Sequence, residues 1–267
     1  MDHDDATIGH IYSRREALAL AASAGITLAL SSKAFALIPP SPQQGSGVLI
    51  ASPVLTEGPF FVDGKLNRAN LIGKTTRKAV VDAKRLDVEV RVLKLVGSEY
   101  KPLSGAQIDL WHADAHGVYS NVDSPMNNEN TADQDWLRGF QKSDEKGVAK
   151  FETIVPGWYM GRALHIHFKV RKHDSAANKT AELTSQMFFS DADFTELSTT
   201  APYSENRARR TLNSRDGIYN EKIEDGSKAG SHLTLKVEKV KDRYKAVFTI
   251  VLTDKNFGED ELNWSTF

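Results

Sequence analysis

The chain of 267 residues has no cysteine. That absence removes thiolate metal sites, disulfides and a cysteine nucleophile together. Any metal it binds must therefore be held by His, Tyr, Asp or Glu. An excess of charge is missing too. Lys and Arg number 34 against 35 Asp and Glu, a formal net charge of -1, so neither a nucleic-acid footprint nor a polybasic membrane patch is indicated. The apolar run from Ala19 to Leu30 is too short to span a bilayer comfortably, and no internal repeat or second domain is evident. With 40% hydrophobic and 26% charged residues, the chain can bury one full core.

Residues 1–36 read as an address rather than as structure. Arg14-Arg15 precede the alanine-rich apolar run, and Ala34-Phe35-Ala36 has the small-x-small form of a cleavage site. Paired arginines in this setting resemble a twin-arginine export signal, which predicts export to the periplasm or beyond. A Pro/Gly/Ser-rich linker would follow over 37–49, leaving a domain over 50–267 with no membrane span in the mature form.

That domain reads mainly as strands. Arg85 to Val96 alternates around Leu86, Val88, Val90 and Val92, and Gly147 to Val155 forms a short strand after a turn. Leu233 to Val240 and Tyr244 to Leu252 form a hairpin candidate. Helix is predicted only near Ser204 to Leu212. Many short strands with polar turns predict a mainly β protein, an antiparallel β-sandwich with few short helices.

Chemistry concentrates in two segments. In Leu164 to Val170, Leu164, Ile166, Phe168 and Val170 point one way, while His165, His167 and Lys169 point the other. Two histidines two apart on a strand share a face and can hold one metal ion, although a core histidine satisfied by a hydrogen bond is the commoner case. Just before them stand Pro156-Gly157-Trp158-Tyr159 and Arg162. Upstream, Ile108 to Ala113 alternates as a strand that runs into a loop at Gly117, followed by Tyr119. Taken singly, Tyr119 and Tyr159 read as ordinary aromatics, Arg162 as the partner of a surface carboxylate, and Gln186 as a cross-strand donor. His112 and His116 compete with Tyr119 as ligands.

Together the segments resemble the iron-binding core of the intradiol ring-cleavage dioxygenases. Trp111-His112-Ala113-Asp114, Gly117, Tyr119-Ser120, then Pro156-Gly157 and Tyr159, then Arg162, His165 and His167 follow that family's order. Leu55-Thr56-Glu57-Gly58-Pro59-Phe60-Phe61, Asp144-Glu145-Lys146-Gly147 and Ser185-Gln186-Met187-Phe188-Phe189 are similar to three further segments, so the likeness covers residues 50–195 or so. It implies a non-haem Fe(III) site with ligands Tyr119, Tyr159, His165 and His167, the tyrosine rather than His112 or His116 facing the metal. It implies Arg162, Tyr159 and Gln186 as catalytic, and Thr56, Gly58, Pro59 and Phe60 as part of the substrate wall. The implied substrates are a catechol-type small molecule and O2, the product a muconate-type dicarboxylic acid.

Only five residues separate Tyr159 from His165, fewer than in the well-known catechol and protocatechuate enzymes. This predicts a more open pocket, suited to larger or polymer-derived catechols. The helical dimerisation region of catechol-type enzymes has no evident counterpart, so the chain looks closer to the exported, core-only members; whether it forms a homo-oligomer stays open. Two alternatives stand beside this reading. One is an exported β-sandwich binding module that keeps a metal site without dioxygenase activity. The other is a His-x-His metal hydrolase, for which no nearby carboxylate is spaced convincingly as a general base.

Overall fold

The computed structural model describes residues 49–257. The export segment over 1–36, and all of the linker over 37–49 except Leu49, lie outside the described residues.

Among them, ten strands make two five-stranded sheets. In the first, β1 (Arg85–Val96) pairs with β10 (Arg243–Leu252) on one side, and β9 (Val237–Val240) lies beyond β10. The other side of β1 is shared by β5 (Val148–Ile154) and β2 (Glu99–Pro102). The second sheet runs β4 (Arg138–Lys142), β3 (Gln107–Trp111), β6 (His165–His173), β7 (Lys179–Phe189), β8 (Thr234–Leu235). Pairing is antiparallel except for β1 with β10 and β7 with β8. Helix is confined to short pieces such as the single turns Lys78–Val81 and Ala229–His232.

The inner faces follow from period-two alternation. Leu86, Val88, Val90 and Val92 of β1 face inward with Phe248 and Ile250 of β10, and Ile108, Leu110, Ile166, Phe168 and Val170 meet them from the second sheet. Phe168 and Phe248 touch edge to face across the sandwich, with ring centroids 5.5 Å apart. Burial of each such side chain stabilises the fold by about 1.5–3 kcal/mol.

The outer face of β6 is the unusual one. His165, His167, Lys169 and Arg171 form its outward row, a polar row that water would ordinarily cover, yet all four are buried. The segment over 55–66 covers the last three. Lys169 pairs with Glu57 and lies 4.2 Å from the Phe61 ring centroid. Arg171 pairs with Asp63 at 3.0 Å and with Asp109 at 2.7 Å. Two ion pairs thus fasten the segment that bears Thr56 to Phe60 onto the strand that bears the two histidines.

Two sequence expectations are corrected. No helix forms over Ser204 to Leu212; there is a 3-10 turn at Tyr203–Glu205 and another at Asn213–Arg215. The Asn206 side chain causes the break, because its Oδ1 accepts from the Ala208 amide and competes with a helical backbone. Nor is Leu233 to Val240 one strand. The chain changes sheets at Lys236, so β8 joins β7 while β9 forms the hairpin with β10.

Candidate metal centre

His165 and His167 project from β6 on the side away from the sandwich core. His167 sits opposite Trp111 on β3, and the two rings stack with centroids 4.9 Å apart and planes inclined by 9°. The Nδ1 of His165 donates to the Ala163 carbonyl at 2.7 Å, which leaves Nε2 with its lone pair free. His167 Nδ1 has no hydrogen-bond partner among the described residues; stacking orients that ring instead.

The tyrosines come from two loops that interlock. A Cβ on Gly117 would overlap the Trp158 carbonyl oxygen, and one on Gly157 would overlap the carbonyls of Asp114 and Ala115. Only glycine lets the two backbones approach this closely. The Gly157 amide donates to the Asp114 carbonyl at 3.0 Å. Asn206 closes the seam by donating to the carbonyls of Trp158 at 2.7 Å and Ala115 at 3.3 Å. Asp114, fully buried, holds its own loop by accepting from the amides of His116 and Val118 and pairs with Arg77.

Four donor atoms converge. His165 Nε2 lies 3.3 Å from the Tyr119 hydroxyl, 3.3 Å from the Tyr159 hydroxyl and 3.1 Å from His167 Nε2. Bonds of about 2.0–2.1 Å to one ion leave neighbouring donors roughly 2.9–3.4 Å apart. The spacing therefore fits a single metal ion. Burial, with Arg162 next, drives both histidines well below the ordinary imidazole range, so they are neutral lone-pair donors. Burial also pushes both phenols up, Tyr119 further through its neighbour Tyr159. Without a cation the pocket is uncharged at its donors, and a cation is what would favour phenolate. Among the described residues no group of three or more His, Cys, Asp or Glu is placed to hold a metal, so a site here depends on its tyrosines.

Around the donors stand the other sequence candidates. Arg162 directs Nη1 to the Tyr159 hydroxyl at 3.4 Å and Nη2 to Gln186 Oε1. Gln186, fully buried on β7, donates in turn to the Thr56 carbonyl at 2.9 Å. Gly58 lies against His167, where an added Cβ would come within 3.3 Å of the imidazole Cε1. Phe60 packs on Tyr119, with ring centroids 4.7 Å apart, and on Tyr159 at 6.4 Å. Pro59 is exposed between them. His112 turns away, its Nε2 on the Thr153 hydroxyl at 2.7 Å, and His116 faces Glu205 at 3.6 Å.

Sequence reasoning missed three supporting residues: Asn206, Arg138 and Asp216. Arg138 on β4 is buried and donates to the carbonyls of Phe60 and Ser120, tying the Thr56 to Phe60 segment to the Tyr119 loop; burial pushes its pKa down to about 10. Asp216 accepts from Arg162 Nε. The Arg138-Gly139 pair reads as a turn or an edge, and a lone Asp-Gly in a loop reads as a turn, so neither announces its role.

The family model described as "Dioxygenase" matches residues 56–207, more than half of the chain. Catechol 1,2-dioxygenase 1 of Acinetobacter lwoffii is 28% identical over 186 residues, which is 62% of this chain and 55% of that protein. The match thus spans about half the length of that relative. Among solved structures, an intradiol ring-cleavage dioxygenase from Tetranychus urticae superposes with a TM-score of 0.63 at 24% identity, covering 77% of this chain and 95% of that one. A 3-chlorocatechol 1,2-dioxygenase from Rhodococcus opacus 1CP gives 0.51 at 21% identity, covering 76% and 72%. At these identities the two structures share the fold. The chain belongs to the intradiol ring-cleavage dioxygenase family.

Proposed function

We propose that this protein is a non-haem Fe(III) intradiol dioxygenase, with the metal held by Tyr119, Tyr159, His165 and His167. The observation that carries the reading is the convergence of two phenol oxygens and two imidazole nitrogens on one point. Phenolate is a hard anionic donor that favours Fe(III), and two of them with two neutral imidazoles leave one positive charge on the ion. A ferric ion there would supply the electron-withdrawing centre at which a catecholate becomes open to attack by dioxygen.

The residues around it divide the remaining work. Tyr159 would be the phenol that makes way for an incoming diol and takes up a substrate proton, because it sits on an exposed turn while Tyr119 is locked in a buried loop. Arg162 keeps a fixed positive charge beside the negative charge that builds on the ring. Gln186, held between Arg162 and the Thr56 carbonyl, orients the substrate. Gly58 and Phe60 shape the wall over His167 and Tyr119. The bond between the two hydroxyl-bearing carbons would break and each of them gain one atom of dioxygen, giving a muconate-type dicarboxylic acid. The short Tyr159 to His165 connection supports larger catechols as substrates, and the paired arginines at Arg14-Arg15 support export.

Metal analysis followed by incubation with catechol under isotopically labelled dioxygen tests this. Iron bound in proportion to protein and a dicarboxylic acid carrying both labelled atoms are expected. An iron-free protein, or cleavage outside the two hydroxyl-bearing carbons, would overturn it.

A further inference from the structure

We propose that Asp216 is the positioning residue that aims Arg162 into the site. This rests on the dioxygenase reading and extends it to a residue beyond the stretch that the family model matches, 56–207. The Asp216 side chain is fully buried, with 0% of its surface exposed. Among the described residues its one cationic partner is Arg162, whose Nε lies 3.1 Å from Oδ2 and 3.2 Å from Oδ1. Three backbone amides complete its shell: Ala163 at 2.9 Å, Ile218 at 2.9 Å and Tyr219 at 3.2 Å.

This arrangement has a direction. With Nε held by Asp216, the plane of the guanidinium is fixed, and its two terminal nitrogens are left to meet the Tyr159 hydroxyl and Gln186. Asp216 is itself immobilised. Its backbone carbonyl accepts from Asn220 Nδ2 at 2.7 Å, and the neighbouring Asn213 donates to the Phe189 carbonyl at the end of β7 at 2.8 Å. The carboxylate therefore ties Arg162 to the same strand that carries Gln186. An unanchored arginine on a four-residue turn with an exposed tip would sample many rotamers, and ordering it afresh in each turnover would slow the reaction. The amide of Ala163 on Oδ2 makes the link tighter still, because Ala163 also supplies the carbonyl that orients His165.

A plain turn-forming role for Asp216 is the competing explanation, since it also accepts from the amides of Ile218 and Tyr219. A cycle of Asp216→Asn, Arg162→Gln and the double variant separates the two. Iron content, thermal midpoint, kcat and KM for catechol would be measured on each. We expect Asp216→Asn to keep its iron and lower kcat about 10–100-fold with a smaller change in KM. The double variant should be no slower than Arg162→Gln alone, because one residue acts through the other. Losses that multiply, or a lower thermal midpoint with kcat unchanged, would overturn the proposal.

Should Asp216→Asn fail to fold, Arg162→Lys serves instead. It keeps the charge but has no Nε, and is expected to be as slow as Arg162→Gln; near-normal turnover would refute positioning. A readout independent of turnover is the exchange of the Arg162 Nε proton in metal-free protein by NMR. Slow exchange in the native chain that becomes fast in Asp216→Asn supports the link, and equal rates contradict it. A native chain that binds no iron and turns over no diol would sink the dioxygenase reading, while the NMR comparison would still decide the role of Asp216.

Discussion

The two tyrosines present the same phenol to the same point from opposite kinds of backbone. Tyr119 is 1% exposed. Its amide donates to Asn127 Oδ1 at 2.8 Å, while its carbonyl accepts from Asn127 Nδ2 at 2.8 Å and Thr131 Oγ1 at 2.6 Å. Tyr159 is only partly buried and begins a tight turn closed by one bond, from the Arg162 amide to the Tyr159 carbonyl at 3.1 Å. Gly161 takes φ +81° at its corner, and Met160 stands 87% exposed at its tip. A site that must hold a metal and also admit a chelating diol needs one donor that stays and one that leaves. Under the proposed function, the difference between the two loops would supply that division without any difference in donor chemistry.

Substitutions on the two sides should separate accordingly. The largest effect belongs to Gly117→Ala, where the new methyl overlaps the Trp158 carbonyl and φ is +81°; we expect a loss of about 3 kcal/mol in urea unfolding. A loss below 1 kcal/mol, roughly the cost of an unstrained change, would mean that the loops part easily. Asn127→Ala removes the bonds that clamp Tyr119 and strands buried backbone groups, costing about 2 kcal/mol and weakening metal retention on dialysis. Tyr159→Phe should change stability by less than about 1 kcal/mol while altering the colour of the ferric protein and slowing turnover at least about tenfold. If Tyr159→Phe released the metal as readily as Asn127→Ala, the proposed division of labour would be wrong. Met160→Ser, at the smallest end, should shift stability by no more than about 0.5 kcal/mol, and a larger shift would show that the turn tip is packed against something.

What was legible in the sequence follows the same contrast between regular and irregular parts. β1, β3, β5, β6 and β10 show in the sequence because period-two alternation reports a buried face directly. β4 does not, since Arg-Gly-Phe-Gln-Lys has no apolar alternation and its buried member is an arginine bound to carbonyls. β2 is exposed along its whole length and leaves no pattern. The segment after Tyr203 misled, because its composition suits a helix while Asn206 spends its side chain on the backbone of three other residues. His165 and His167 share a strand face by their spacing, whereas Tyr119 and Tyr159 stand out only through the family likeness. Asp216 could not, because it lies 54 residues from Arg162 in a loop where burial is decided only by tertiary packing. Gly58 reads as pocket wall only through the family likeness of its Gly-Pro segment, and its contact with His167 appears only in three dimensions.

The most direct test of the central claim, that two unequal phenols and two imidazoles hold a ferric ion open to diols, is the visible absorption spectrum of the purified protein before and after anaerobic addition of catechol. The account predicts a broad phenolate-to-iron band that moves to longer wavelength when the diol binds. A protein that stays colourless after reconstitution with ferric iron would contradict it.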